Sequence, residues 1–175
     1  MSNKKKIVRD SRVTMTEMVL PNDTNPLNNL MGGRMMHLID IVAAICAQKH
    51  SNRIVVTASV DNVSFTKPIK IGNVLTLEAQ VTRTFNSSME IFVRVYAEDI
   101  PTGTKVETNS AFLTFVAVDQ NGTPIAVPIL VPETEEEIRL FESALRRRQL
   151  RLILANKMNP EEATELKSLF FGEKK

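Results

Sequence analysis

The chain has 175 residues, 43% of them hydrophobic, and its 22 Lys and Arg against 20 Asp and Glu leave a net charge of +2. That length suits one domain with a sizeable core, and the near-neutral balance excludes a global pull toward nucleic acid or a membrane surface. The lone cysteine, Cys46, excludes an intrachain disulfide. The basic start Met1-Ser2-Asn3-Lys4-Lys5-Lys6 leads into no apolar h-region, and no apolar run of about 18 residues follows. The cytoplasm is the expected compartment.

The first element is a strand near Val13–Leu20, weakly amphiphilic. A loop rich in Pro and Asn comes next, Pro21-Asn22-Asp23-Thr24-Asn25-Pro26-Leu27-Asn28-Asn29, and runs into Gly32-Gly33. The spacing then predicts a helix over about Gly33–Lys49. Its stretch Met-Met-His-Leu-Ile-Asp-Ile-Val-Ala-Ala-Ile-Cys-Ala carries only two polar residues, His37 and Asp40. A surface helix would show one polar face; this one must be covered on most sides. Arg53 to Phe65 is rich in β-branched residues. Val74–Thr84 and Met89–Ala97 alternate apolar and polar with period two, and Lys105–Val118 reads as a long strand. The turns between them are Asn86-Ser87, Pro101-Thr102-Gly103 and Asp119-Gln120-Asn121-Gly122.

One apolar helix and about five antiparallel strands define an α+β fold in which the sheet curls around the helix. Alone, such a unit leaves part of its helix and one sheet edge bare; a dimer joining two sheets edge to edge closes both. The rest of the chain is a helical appendix. Pro132 precedes Thr134-Glu135-Glu136-Glu137, a capping-box pattern, with acids in the first turn and Arg146, Arg147, Arg148 and Arg151 at the end. Asn159-Pro160 starts a second short helix. The division expected is residues 1–132 as the main domain and residues 133–175 as a packing or assembly extension.

The inventory excludes several chemistries. Two histidines, His37 and His50, and one cysteine fit no zinc spacing. There is no phosphate-loop or dinucleotide fingerprint and no nucleophile elbow. What remains is Asp40, the glycine pair and the Asn-rich loop. A lone acid in a greasy helix needs a partner or a task. On a 3.6 period it shares a face with Met36, Ala43, Ala44 and Ala47, where small alanines leave room for a ligand. Thr57, early on the next strand, is a candidate to face this acid, with the plain role of a β-former as the competing reading. The N–H groups of Gly32 and Gly33 are candidates to hold a polarised carbonyl, although a plain loop-to-helix turn explains the pair as well. Gly33 and Asp40 lie about 10 Å apart along one helix. Two antiparallel helices related by a dimer axis would bring one chain's acid to the other's glycines, so sites shared between subunits are expected.

The motifs Val19-Leu20-Pro21-Asn22-Asp23-Thr24-Asn25-Pro26, Gly32-Gly33-Arg34 and Ile39-Asp40 resemble the opening of the hotdog-fold acyl-coenzyme A thioesterases of the cytosolic hydrolase type. Further matches are Val56-Thr57-Ala58-Ser59-Val60-Asp61, Phe65-Thr66-Lys67-Pro68, Ile71-Gly72, Ser87-Ser88-Met89-Glu90, Tyr96-Ala97-Glu98-Asp99, Thr114-Phe115-Val116-Ala117 and Pro132-Glu133-Thr134. The likeness covers about residues 13–150. It implies the hotdog fold, a homodimer as minimal unit, often a hexameric trimer of dimers, and hydrolysis of acyl-CoA to fatty acid and CoA without a cofactor. It implies catalytic roles for Asn25 and Asp40 from different subunits, with Thr57 assisting. Asn62, Ser64, Lys67, Ser87 and Ser88 are the candidates for CoA contacts. Relatives often carry an arginine where this chain has Asn86, so Arg83 or Lys67 would have to supply that cation. Met31, Met35 and Met36 are candidates for an acyl tunnel, with core packing the competing role. Three rival readings remain: a non-catalytic acyl-CoA-binding or sensor protein on the same fold, a dehydratase or isomerase using His37 beside Asp40, and a purely structural scaffold, which leaves the Gly-Gly-to-Asp pattern unexplained.

Overall fold

The computed structural model describes residues 4–171, the side chains of Asn62 and Phe171 excepted. The chain divides into two compact units, Met1–Val131 and Pro132–Lys175.

In the first unit, strands β1 (Lys5–Ile7) and β2 (Val13–Met18) precede the long helix α1 (Gly32–Ser51). Then come β3 (Ile54–Phe65), β4 (Val74–Thr84), β5 (Ser88–Asp99), β6 (Thr104–Val118) and β7 (Ile129–Val131). Five strands form one antiparallel sheet in the order β2-β4-β5-β6-β3. The period-two pattern dictates which face is buried: Leu75, Leu77, Ala79 and Val81 of β4, Ile91, Val93 and Val95 of β5, and Ala111, Leu113 and Phe115 of β6 are all buried. Leu38, Ile39, Val42, Ala43, Cys46 and Ala47 of α1 are buried too, and α1 lies against β3, β4, β5 and β6. Burial of an apolar side chain of this size stabilises by about 1.5–3 kcal/mol, so this layer is the main source of stability.

Three points differ from the sequence expectations. First, β1 and β7 form a separate parallel pair, Lys5 to Ile7 against Ile129 to Val131. Strands of three residues are too short to show an alternating pattern. Second, α1 is covered on one side only. Its opposite stripe, with His37 and Ile45 exposed and Met36, Asp40, Ile41 and Ala44 half-buried, is left open by the described residues of the single chain. Third, Ala43 and Ala47 do not share open space with Asp40. The sheet covers both completely, and only Ala44 and Met36 stand on the accessible side.

β3 is an edge strand with β6 as its partner on one side. It exposes Ile54, Val56, Val60 and Phe65, between 41% and 57% each.

The second unit holds α2 (Glu135–Leu154) and α3 (Thr164–Phe171). Thr134 Oγ1 accepts from Glu137 N at 3.2 Å while Glu137 Oε2 accepts from Thr134 N, a complete capping box. Asn159 accepts from Glu161 N with Pro160 at the first position, but the element they start is a single 3-10 turn, which ends before α3 begins. Among the described residues no helix is long and apolar enough to cross a membrane.

Candidate active site

The two ends of α1 are built differently. Met31, at the N-cap position, provides no side-chain acceptor, and the first turn holds no acid. The N–H groups of Gly32 and Gly33 meet no acceptor among the described residues. A helix start of this kind carries free donors and the positive end of the dipole. Both glycines are exposed. A Cβ added at Gly33 would meet nothing within 4 Å, and one at Gly32 would touch only the Phe65 ring at 3.8 Å. Open space therefore lies beside both glycines.

The Asn-rich loop is held against this tip. Asn25 Oδ1 accepts from Leu27 N at 2.9 Å and from Asn29 N at 3.2 Å, and Asn25 N donates to Asn29 O at 2.8 Å. These bonds identify which amide atom is the oxygen. They leave Nδ2 without a protein partner among the described residues, so Asn25 offers a hydrogen-bond donor rather than an acceptor.

Arg34 belongs to the motif Gly32-Gly33-Arg34 but was given no role from the sequence. Its Nε donates to Asp23 Oδ1 at 2.9 Å, and its Nη2 reaches Glu17 Oε1 at 3.3 Å. Asp23 Oδ2 accepts from Leu20 N at 3.1 Å, and Met31 N donates to Asp23 O at 2.9 Å. Arg34 thus ties β2 and the Asn25 loop to the first turn of α1. Only its place directly after Gly32-Gly33 hinted at this.

Asp40 sits on the uncovered side of α1, half-buried rather than enclosed. Thr57, on β3, donates from Oγ1 to Asp40 Oδ1 at 2.9 Å. This orients the carboxylate and leaves Oδ2 without a protein partner among the described residues. Thr57 adjoins an irregularity in the β3–β6 register, between Thr57 and Ser59; such a bulge re-aims side chains locally.

Within one chain these groups form two centres. Gly32 meets Phe65 at the far end of β3, while Asp40 meets Thr57 near its beginning. Gly32 and Asp40 are eight residues apart on α1, roughly 12 Å along its axis.

The remaining candidates separate the same way. Ser64, whose Oγ lies 3.3 Å from Ser110 Oγ, and Lys67, which is exposed, belong to the end near Gly32. Ser87 and Ser88 lie at the β4–β5 turn; Ser88 pairs with Val116, which pairs with Val56. That places them level with Thr57, two strands away across the sheet. The Asn62 side chain lies outside the described residues. Arg83 lies 6.0 Å from the Phe85 ring. Met35 is buried, Met36 half-buried and Met31 exposed.

Two other groups are closed to chemistry. Burial pushes the Cys46 thiol up to about 12, so it carries no thiolate near neutral pH. His50 is fully buried; its Nε2 donates to Pro128 O at 3.1 Å, and its Nδ1 accepts from Ser11 Oγ at 3.3 Å.

An uncapped helix tip facing open space, a loop that presents an amide N–H, and a threonine-oriented carboxylate suit chemistry at a carbonyl. Comparison with known proteins gives the same direction. Residues 27–104 match the model of the Thioesterase superfamily. The Bacillus subtilis uncharacterized acyl-CoA thioester hydrolase YkhA is 48% identical over 139 residues, 79% of this chain and 81% of that protein. This chain belongs to the thioesterase superfamily. Among solved structures, an apo-hexameric acyl-CoA thioesterase is 45% identical with a TM-score of 0.85, covering 87% of this chain and 97% of that one. An acyl-CoA hydrolase from Staphylococcus aureus, solved with butyryl coenzyme A, coenzyme A and coenzyme A disulfide, is 37% identical with a TM-score of 0.81, covering 87% and 95%. That hydrolase has also been solved as single alanine variants of an asparagine, an aspartate and a threonine. Their spacing along its chain equals that of Asn25, Asp40 and Thr57 here.

Proposed function

We propose that this chain hydrolyses acyl-CoA thioesters to a free fatty acid and CoA, at a site that two copies build between them. The relatives supply the substrate class. The observation that carries the two-copy site is the separation of the two centres along α1 and β3. One thioester cannot reach both the Gly32 tip and Asp40 of the same chain. β3 offers the means to join them, because its outer edge has no partner strand among the described residues and its exposed side chains are apolar. An antiparallel pairing of two β3 strands centred on Asp61 sets Thr57 opposite the partner's Phe65. The carboxylate of one copy then faces the helix tip of the other, and the bare stripe of α1 is covered at the same time.

In this arrangement the thioester oxygen accepts from the N–H groups of Gly32 and Gly33 and from Asn25 Nδ2. These donors are fixed before the substrate arrives, so they stabilise the developing oxyanion without reorganisation. Asp40, with Oδ1 held by Thr57, takes a proton from water through Oδ2, and the hydroxide attacks the carbonyl carbon. The C–S bond of the tetrahedral intermediate then breaks, and the thiolate of CoA leaves with the bonding pair. A thiolate is a good leaving group, so a strong general acid is not needed. Direct attack by Asp40 to form an anhydride is the other route open to this carboxylate. A single turnover in heavy-oxygen water distinguishes them, since label recovered in Asp40 marks the anhydride. The reaction needs no cofactor beyond the CoA of the substrate. We assign catalysis to residues 1–132 and assembly to residues 133–175, with higher oligomers built from dimers.

The test is release of free thiol from acyl-CoAs of increasing chain length. Asp40→Ala and Asn25→Ala are each expected to leave a folded dimer and to lower kcat by at least about a hundredfold. Undiminished turnover in Asp40→Ala would remove this mechanism. Tight acyl-CoA binding by the wild type without thiol release would mark a sensor instead.

A further inference from the structure

Between Met36 and Ile45 the bare stripe of α1 carries Met36, His37, Asp40, Ile41, Ala44 and Ile45. His37 and Asp40 are its polar members. Three residues apart, they are neighbours on the helix surface, about 4.5 Å from one another along its axis. His37 is exposed, and its ring meets no partner among the described residues. Asp40 Oδ1 is taken by Thr57 Oγ1 at 2.9 Å, so Oδ2 is the free acceptor of this carboxylate among the described residues. Arg34, one turn before His37, turns its guanidinium to Asp23 and Glu17 instead.

One chain thus offers an imidazole and a carboxylate oxygen, and no cluster of three or more potential metal ligands stands among its described residues. The pairing of two copies doubles the count. Setting Asp40 of one copy against Gly33 of the other puts the twofold axis between Met36 and His37. The two His37 residues are then only about 1.5 Å apart along the helix direction, with an Asp40 about one turn beyond each. Covering the stripe closes Met36, Ile41 and Ala44 of both copies around them. Two carboxylates and two imidazoles enclosed by apolar side chains are costly unless they are neutralised, and a divalent cation neutralises them. An acid and a histidine three residues apart, repeated on a facing helix, form a donor set by which helix bundles hold metals.

We propose that the two-copy assembly binds one zinc ion on its twofold axis, through an imidazole nitrogen of His37 and Oδ2 of Asp40 from each copy, and that this ion switches the hydrolase off. This rests on the two-copy hydrolase reading above. Two nitrogen and two carboxylate-oxygen donors suit a four-coordinate zinc ion with bonds of about 2.0–2.2 Å. Magnesium and calcium favour six or more oxygens, which this donor set does not supply. Thr57 acts as the outer partner that orients the ligating carboxylate. With four protein ligands the ion has no open position for a reactive water. It also occupies Oδ2, the atom assigned to take a proton from water, so zinc and turnover exclude one another.

The experiment uses untagged full-length protein and zinc alone in equilibrium dialysis, with the mass of the assembly measured alongside. The wild type is expected to bind one zinc per two chains and, with cobalt in its place, to show the intense visible absorption of a tetrahedral ion. His37→Ala, a change at an exposed position, is expected to weaken zinc binding by more than about a hundredfold, beyond the cost of disturbing an outer-shell partner. Asp40→Ala, read by dialysis, is expected to lose the ion as well. CoA release by the wild type is expected to fall about a hundredfold on saturation with zinc, as for loss of the base, and to return with a chelator. His37→Ala is expected to keep the zinc-free rate in both conditions. The proposal is overturned if the wild type binds no zinc, if it binds one per chain, if His37→Ala binds zinc as tightly, or if the zinc-loaded wild type turns over at the zinc-free rate. A monomeric wild type removes the two-copy site and this proposal together. Dialysis needs no substrate, so absence of thiol release by the wild type would remove the hydrolase reading without altering the zinc stoichiometry.

Discussion

The two ends of α1 show how differently one helix treats structural and working groups. At its C-terminal end the polar groups are matched within the chain. Asn52, in the left-handed conformation at φ 53°, donates from N to Gln48 O at 2.7 Å. Ser51 Oγ donates to Ala47 O at 2.8 Å, and Lys6 Nζ to Lys49 O at 2.7 Å. His50 uses both ring nitrogens. At the N-terminal end Gly32 and Gly33 offer N–H groups with no acceptor among the described residues, and the nearby Asn25 leaves its amide nitrogen unused. Polar groups matched inside the chain hold the fold. Groups kept unmatched in front of open space are available to a ligand, and stability is forgone to keep them so.

This contrast is sharpened first at the open end. Gly33→Pro removes one donor while keeping a residue that helix first turns accept. It is expected to lower kcat by about 100- to 1000-fold with little change in melting temperature, the signature of a lost oxyanion donor. A large fall in melting temperature would show that the tip is structural. Thr57→Val keeps the shape of the side chain and removes the bond to Asp40. An effect of about tenfold on kcat, with KM little changed, is expected for a group that orients the base. Loss of folding instead would show that the Thr57–Asp40 contact serves the fold.

The closed end should respond in the opposite sense. His50→Ala leaves Ser11 and Pro128 without their partner and opens a hole. It is expected to cost about 2–4 kcal/mol in denaturant unfolding while the turnover of the folded fraction is kept. Burial also holds His50 below the ordinary histidine value. The folded chain therefore binds fewer protons at this site than the unfolded chain. This contribution to stability is complete above the ordinary value of about 6.5 and is lost as pH falls below it, down to the depressed folded-state value. Unfolding midpoints measured across that window should drop in the wild type and drop less in His50→Gln. Equal slopes in the two proteins would show that His50 does not carry this dependence.

Much of the architecture was legible because it depends on short-range pattern. Val74–Thr84 alternates so regularly that its strand bounds were read directly, and the apolar run after Gly33 identified the central helix to within a turn at each end. β1 and β7 were missed because three residues cannot display a period. In the candidate site, Asp40 stood out as a lone acid in an apolar helix and Thr57 as a hydroxyl on the next strand, whereas Asn25 was chosen from its Asn-rich loop through the family resemblance. Nothing local announced that Arg34 would bind Asp23 and Glu17, or that Asn25 would spend its oxygen on its own loop and present its nitrogen.

By itself the order of residues determined the layer scheme and the uncapped helix start, and it made Asp40 the candidate acid, because periodicity, glycine pairs and a charge among alanines are properties of neighbours along the chain. Only the tertiary structure decided which stripe of α1 is left bare, that β3 is the edge strand, and that Phe65 and Thr57 at its two ends meet the helix tip and the acid. Those facts arise from contacts between residues distant in sequence, whose geometry no local pattern encodes.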